Sequence, residues 1–222
     1  MVAVDICNLA LSYLGDTATV ASVDPPEGSA QAQHCARFYP MALNLLLETH
    51  RWNFITKRAY LAVVQNCYFD AWRFAYALPS DALNVISVLP KALYPADYFR
   101  NALANYWGGI WPLDFELNWH YDFQIEVFNG QQVVLSNVED AVARYAVSTV
   151  QPGMFPALFA DALAWKLASM LAGPLLKGDA GAAESKRCLG MYQVVMEQAK
   201  GQDANQRHGS ERVTPSSIRA RG

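Results

Sequence analysis

The sequence predicts an α+β fold: a four-helix bundle with a β-rich insertion between helices 2 and 3, followed by an extended C-terminal tail. Three observations carry that prediction. Apolar residues recur at helical spacing in residues 1–54 and again in residues 152–200. Between them the period falls to two, and an Asn129-Gly130 dipeptide separates two alternating runs. Beyond Ala199 apolar residues become sparse, with little except Val213 and Ile218. Such a segment cannot bury enough surface to offset the entropy lost on ordering. The expected organisation is a helical bundle (1–54 and 152–200), a β-rich insertion (55–151) and a tail (201–222), with no internal repeat.

The first helix follows from Ile6, Leu9, Ala10, Tyr13 and Leu14, which share one face, and Gly15-Asp16 ends it. Pro25-Pro26 and Gly28 exclude helix from the next stretch. Ser29 is the expected N-cap of the second helix. Its stripe is Cys35, Phe38, Tyr39, Ala42, Leu45, Leu46 and Thr49, while Met41 and Leu47 lie off it and leave room for a second covered face.

Trp72 to Leu78 alternates as a strand with its large residues on one face, and Pro79 and Asp81 punctuate its end. Asn84 to Leu89 is a second short apolar run. Residues 90–112 are aromatic-rich and broken by Pro95, Gly108, Gly109 and Pro112, which reads as an extended insertion or arm. A hairpin follows at 122–137. A two-residue type I′ turn at Asn129-Gly130 would pair Ile125 with Val134. A three-residue loop would pair Ile125 with Val133 and Phe123 with Leu135. The second register keeps the apolar faces together and is the one expected.

A further strand near Ala141–Val150 precedes Pro152-Gly153. Pro156 suits a first helical turn. The third helix carries Phe155, Leu158, Phe159, Ala162, Leu163, Leu167, Met170 and Leu171, and Gly173-Pro174 is expected to stop it. The last helix is expected from about Asp179 to Lys200, with Ala182, Ser185, Leu189, Tyr192, Val195, Met196 and Ala199 facing inward.

Composition bounds the function. The chain has 222 residues, 53% apolar and 17% charged, enough for a real core. Its 6 Trp, 11 Tyr and 10 Phe at low charge point to apolar surface kept for partners. A net charge of −3 argues against a nucleic-acid clamp, which needs a basic excess. Cys7, Cys35, Cys67 and Cys188 show no C-x-x-C spacing and read as reduced thiols in a protein made in the cytoplasm. Asp5 and Asn8 interrupt the N-terminal apolar run, so it does not read as a signal peptide. No stretch is expected to approach a membrane span of about 20 apolar residues.

Motifs for chemistry are missing. The sequence has no H-E-x-x-H, G-x-S-x-G, P-loop or G-x-G-x-x-G. Of His34, His50, His120 and His208, none has a partner at metal-ligand spacing, and His50 reads as a structural residue at a helix end. Asp114, Glu116, Asp122 and Glu126 could supply a carboxylate pair for glycoside hydrolysis. Their alternation with apolar residues favours a solvated strand face instead. Trp107, Trp111, Trp119 and Tyr121 have few basic neighbours and read as interface residues rather than a base-stacking platform. In the tail, Arg207, Arg212, Arg219 and Arg221 outnumber Asp203 and Glu211, and their planar forks suit an acidic groove on a neighbour. No catalytic, cofactor or metal residue is expected.

Several blocks taken in order resemble one family. They are Ile6-Cys7-Asn8-Leu9-Ala10-Leu11 with Leu14-Gly15; Cys35 and Phe38-Tyr39; Leu45-Leu46-Leu47; Trp52-Asn53-Phe54; Lys57-Arg58-Ala59; and Leu61-Ala62. Phe74 to Asp81 is the central block, and Phe155-Pro156, Phe159, Ala162-Leu163-Ala164, Leu167-Ala168 and Tyr192 close the set. Together they resemble the tail tubular protein A type of head-to-tail adaptor of tailed bacteriophages, related to the packaged-DNA stabilisation proteins of short-tailed phages. Residues 91–119 fall outside the match.

The resemblance implies a structural virion protein rather than an enzyme. It implies a dodecameric ring below the portal protein that extends the DNA channel and presents a platform to the tail nozzle protein. Double-stranded DNA would pass through the lumen without sequence-specific binding, which suits a mildly acidic conduit. It implies a place at the head–tail junction of the virion after synthesis in the host cytoplasm, with no membrane insertion. The C-terminal segment would dock on the portal through Arg207, Arg212, Val213, Ile218, Arg219 and Arg221. Asn129, Gly130, Trp107 and Trp111 would meet the nozzle or a neighbouring subunit. The alternatives are another virion connector, such as a stopper or completion protein, or a cell-wall hydrolase acting through Glu116 or Glu126.

Overall fold

Among the described residues the fold has four α-helices and two antiparallel sheets, with both sheets inserted between the second and third of these helices. The computed structural model describes residues 2–17, 19–66, 71–91 and 121–206. The helices are α1 (Ala3–Tyr13), α2 (Ala30–Thr49), α3 (Ala157–Leu176) and α4 (Gly178–Asn205). The strands are β1 (Thr56–Tyr60), β2 (Val63–Val64), β3 (Phe74–Ala77), β4 (Ala82–Pro90), β5 (Phe123–Phe128), β6 (Gln131–Ser136) and β7 (Ala141–Val147).

α3 is the centre of the helical part and packs against α1, α2 and α4. It buries residues on every side, from Phe159 and Leu163 to Ala160 and Ala164. By length and composition alone it could cross a membrane, contrary to the expectation that no stretch approaches that length. It lies 56% buried within the protein, which is how an apolar core helix behaves. Gly173-Pro174 does not stop it. The chain turns at Lys177 and Gly178, with φ of 55° and 56°, and Pro174 sits inside the last turn. α4 crosses α3 closely at Gly181, where a Cβ would stand 2.9 Å from the Ala172 carbonyl oxygen.

The outer helices depart from their expected stripes in detail. α1 buries Ile6, Cys7, Ala10 and Leu11, a face rotated by about one position. The reason lies in Tyr13, which stacks on Trp165 at 3.8 Å and donates its hydroxyl hydrogen to Asp161. A phenol that needs a polar partner sits at the rim of the interface, and the smaller residues turn inward. In α2 the Ala32 amide donates to the Ser29 hydroxyl at 3.1 Å, the expected cap. Leu47 is buried, so α2 has a wider covered face, but Met41 and Leu45 are exposed. α4 runs to Asn205, so residues 201–205, expected in the tail, are helical, and Leu189 is exposed.

The sheets are ordered β1-β7-β4 and β2-β3-β6-β5. β1 carried no strand signal because it is a polar edge, Thr56-Lys57-Arg58-Ala59-Tyr60, and edge strands are commonly protected by charge. β7 is central and almost wholly buried. The hairpin register differs from the expected one: Ile125 pairs with Val134, Gln124 with Leu135 and Phe128 with Gln131. Asn129 and Gly130 both have positive φ, 50° and 77°, as a type I′ turn requires. Face matching failed as a criterion because β6 buries Val133, Val134 and Leu135 alike, so it has no polar face to match.

Candidate functional site

The most constrained polar site lies where α4 ends. Asp203 is 4% exposed, in the last turn of α4. Its Oδ1 accepts the Asn53 backbone N–H at 2.9 Å. The Asn53 side-chain amide donates to the Asp203 carbonyl at 2.7 Å and to Oδ2 at 3.1 Å. His50 Nε2 lies 3.2 Å from the same Oδ2. A carboxylate leaves water only if its oxygens are this well occupied. The sequence reading placed Asp203 among the tail charges; it is instead an internal anchor. His50 is structural, as expected at a helix end, but its partner is a carboxylate 153 residues away.

An aromatic cluster supports that anchor. Trp52 is buried and donates its indole N–H to the Leu46 carbonyl at 2.8 Å, closing off the end of α2. Its ring meets Phe159 edge-on at 5.0 Å, and Phe54 and Phe155 each lie 5.0 Å from Phe159. Asp203 and Gln206 therefore sit beside Trp52 and the start of α3. Arg207, Arg212, Val213, Ile218, Arg219 and Arg221 lie outside the described residues.

A second polar site joins the strands. Asp81 accepts from Lys57 Nζ at 3.2 Å and from the Tyr145 hydroxyl at 3.0 Å. Burial works against its charge, but the hydrogen bonds from Lys57 and Tyr145 outweigh that and hold its carboxyl below the usual range. Burial first, and Asp81 second, push the Tyr145 phenol up.

The remaining sequence candidates separate. Asn129 and Gly130 form the exposed tip of the β5–β6 hairpin. Trp107 and Trp111, with Trp119, lie outside the described residues, as do Asp114 and Glu116. Glu126 is half-buried and accepts from Gln124 at 2.8 Å, whereas Ile125 and Val127, expected on the covered face, are exposed. Cys7, Cys35 and Cys188 are buried free thiols, and Cys67 lies outside the described residues. A hydrogen bond to Cys35, together with burial, pushes the Cys7 thiol up, so it stays protonated at neutral pH. Among the described residues no three His, Cys, Asp or Glu side chains come together as a metal site. A groove of about 440 Å³ runs between the end of α2 and β4, lined by Glu48, His50, Arg51 and Asn84 among others.

Family models and curated proteins give no match to this chain. The blocks that carry the resemblance are distant in sequence and adjacent in space. Trp52-Asn53-Phe54 meets Phe155 and Phe159, and Lys57 meets Asp81. Sequence reasoning had no signal for the partnership of Asn53 with Asp203, because neither residue type nor spacing announces it.

Proposed function

We propose that this chain is a head-to-tail adaptor of a tailed bacteriophage: a structural subunit that rings the DNA channel between portal and tail nozzle. In this reading the helices form one bundle, and the C-terminal segment is an extended arm that docks on the portal. One observation carries it. Trp52, Asn53, Phe159, Lys57 and Asp81, all in the resembling blocks, are among the residues that tie the helices and strands together. A platform subunit needs such a frame, because force passed along a conduit must not deform it. The function itself comes by analogy, since a frame alone hosts many roles. The hydrolase alternative gains no support from Glu126, a half-buried strand residue whose carboxylate accepts from the neighbouring Gln124.

The test is a truncation placed by the structure. Residues 201–205 belong to α4, and Asp203 anchors it, so the deletion must begin at Arg207. Deletion of 207–222 is expected to leave the fold intact by circular dichroism and to abolish co-sedimentation with portal-bearing capsids. Undiminished co-sedimentation removes the docking role. Imaging of the intact particle tests the ring: density for this chain away from the head–tail junction ends the adaptor reading.

A further inference from the structure

Two helix faces remain open on the described surface, and their chemistry matches. α2 buries Cys35, Tyr39, Ala42 and Leu46 on one side. Its opposite side presents Arg37, Met41, Leu45 and Glu48, spaced i, i+4, i+8 and i+11, which keeps them on one stripe. Met41 is 52% exposed and Leu45 45%. α4 buries Cys188, Val195 and Ala199, and its opposite side presents Lys186, Gly190, Val194 and Glu197. The spacing is the same: i, i+4, i+8 and i+11. Val194 is 55% exposed, and a Cβ placed on Gly190 would meet nothing within 4 Å.

We propose that the outer face of α2 packs antiparallel on the outer face of α4 in a second copy of this chain. The charges fix the direction. On each helix the two charged residues are eleven positions apart, about 16 Å along the axis at 1.5 Å per residue. Run antiparallel, Arg37 meets Glu197 and Glu48 meets Lys186. Met41 then lies beside Val194, and Leu45 seats over the bare backbone at Gly190. Run parallel, Arg37 would meet Lys186 and Glu48 would meet Glu197, two like-charge contacts. Among the described residues no ion pair involves Arg37, Glu48 or Lys186, and Glu197, its side chain 73% exposed, pairs with Lys200 of its own helix at 2.7 Å.

The two faces differ, so the contact is heterologous, and repeating it closes a ring or extends a filament. The inference rests on the adaptor reading for its ring, and it names the surfaces that would build one. Its chemistry stands without that reading.

Cross-linking tests it. Met41→Cys and Val194→Cys copies of the full chain are mixed, oxidised and run without reductant, both at high concentration and after binding to portal-bearing capsids. A double-mass band that needs both variants is expected. Arg37→Glu in the Met41→Cys copy is expected to lower that band about fivefold or more, the effect of a lost pair and a new repulsion. Glu197→Arg in the Val194→Cys copy is expected to restore it. No heterotypic band in either setting, or a band from Met41→Cys alone, overturns the proposal. Capsid co-sedimentation without the band rejects this seam and leaves the adaptor reading intact. The band in solution without co-sedimentation does the reverse.

Discussion

Two carboxylates, Asp203 and Asp81, tie distant segments together in opposite surroundings. Asp203 is buried and takes donors from Asn53 and His50. Asp81 has a side chain 37% exposed and takes donors from Lys57 and Tyr145. The partner sets are similar in size, so the difference between the sites is water. At Asp81 solvent can replace a lost partner; at Asp203 it cannot. The lesson is that the base of α4 is held by an arrangement that must be complete, whereas the strand junction tolerates loss.

The largest expected effect follows from that difference. Asp203→Ala removes both carboxylate oxygens that accept from the Asn53 backbone N–H and side-chain amide and leaves only the backbone carbonyl of residue 203, in a site where Asp203 is 4% exposed, which costs about 3 kcal/mol. Chemical denaturation should show it as a lowered midpoint with an unchanged slope. A cost no greater than that of Asp81→Ala would break the comparison, because burial would then not be what separates the sites.

A second variant asks how much the turn adds to a sheet already held by buried polar contacts of Tyr76 and Ser136 with Val138. Its contribution is local backbone chemistry at the hairpin tip, where Gly130 has φ of 77° and open space around it. Gly130→Ala adds no clash, so its whole cost is the left-handed backbone, about 1 kcal/mol. A neutral result would mean that β6, paired on both sides and buried, sets the hairpin without help from the turn.

The hairpin also shows how far a sequence can be read. Asn129-Gly130 marked the place of the turn, but the three-residue loop expected there gave way to the two-residue type I′ turn that the dipeptide itself favours. The register argument failed because it assumed a polar face on β6, and burial of both faces is a property of what packs there, not of the strand. The same limit explains α1, where Tyr13 reads as a core residue until Asp161 and Trp165 appear at the rim. The order of the four helices and of β3 to β7, the Ser29 cap and the apolar centre of α3 were legible because each is written in contiguous residues; β1 and β2 were not. The Asp203 anchor was not, since it joins residues 150 positions apart and its composition resembles that of the polar tail.

Acidification separates the two sites in another way. The folded carboxyl of Asp81 titrates below its unfolded value of about 4, because Lys57 and Tyr145 outweigh the effect of burial. Its contribution is therefore present above that unfolded value and is lost as pH falls through the lower folded value. Exposure screens the Lys57 pair, so the amount stays below about 1 kcal/mol. Stability of Asp81→Asn measured between pH 6 and pH 3 should fall less steeply than that of the parent. Parallel curves would show that the junction contributes nothing through charge.

The smallest effect tests the water argument from the opposite side. Tyr39 on α2 is buried, and its hydroxyl has no hydrogen-bond partner among the described residues. Burial, with nearby Cys7 adding to it, pushes its phenol up to about 12. A buried polar atom without a partner costs free energy, and removing it removes that cost. Tyr39→Phe keeps the ring and its packing, so the expected change is between zero and about 1 kcal/mol of added stability. If Tyr39→Phe instead destabilises the protein, the hydroxyl has an acceptor in the folded chain. The rule that burial sets the cost would then need a polar partner at Tyr39, much as Asp203 has its own.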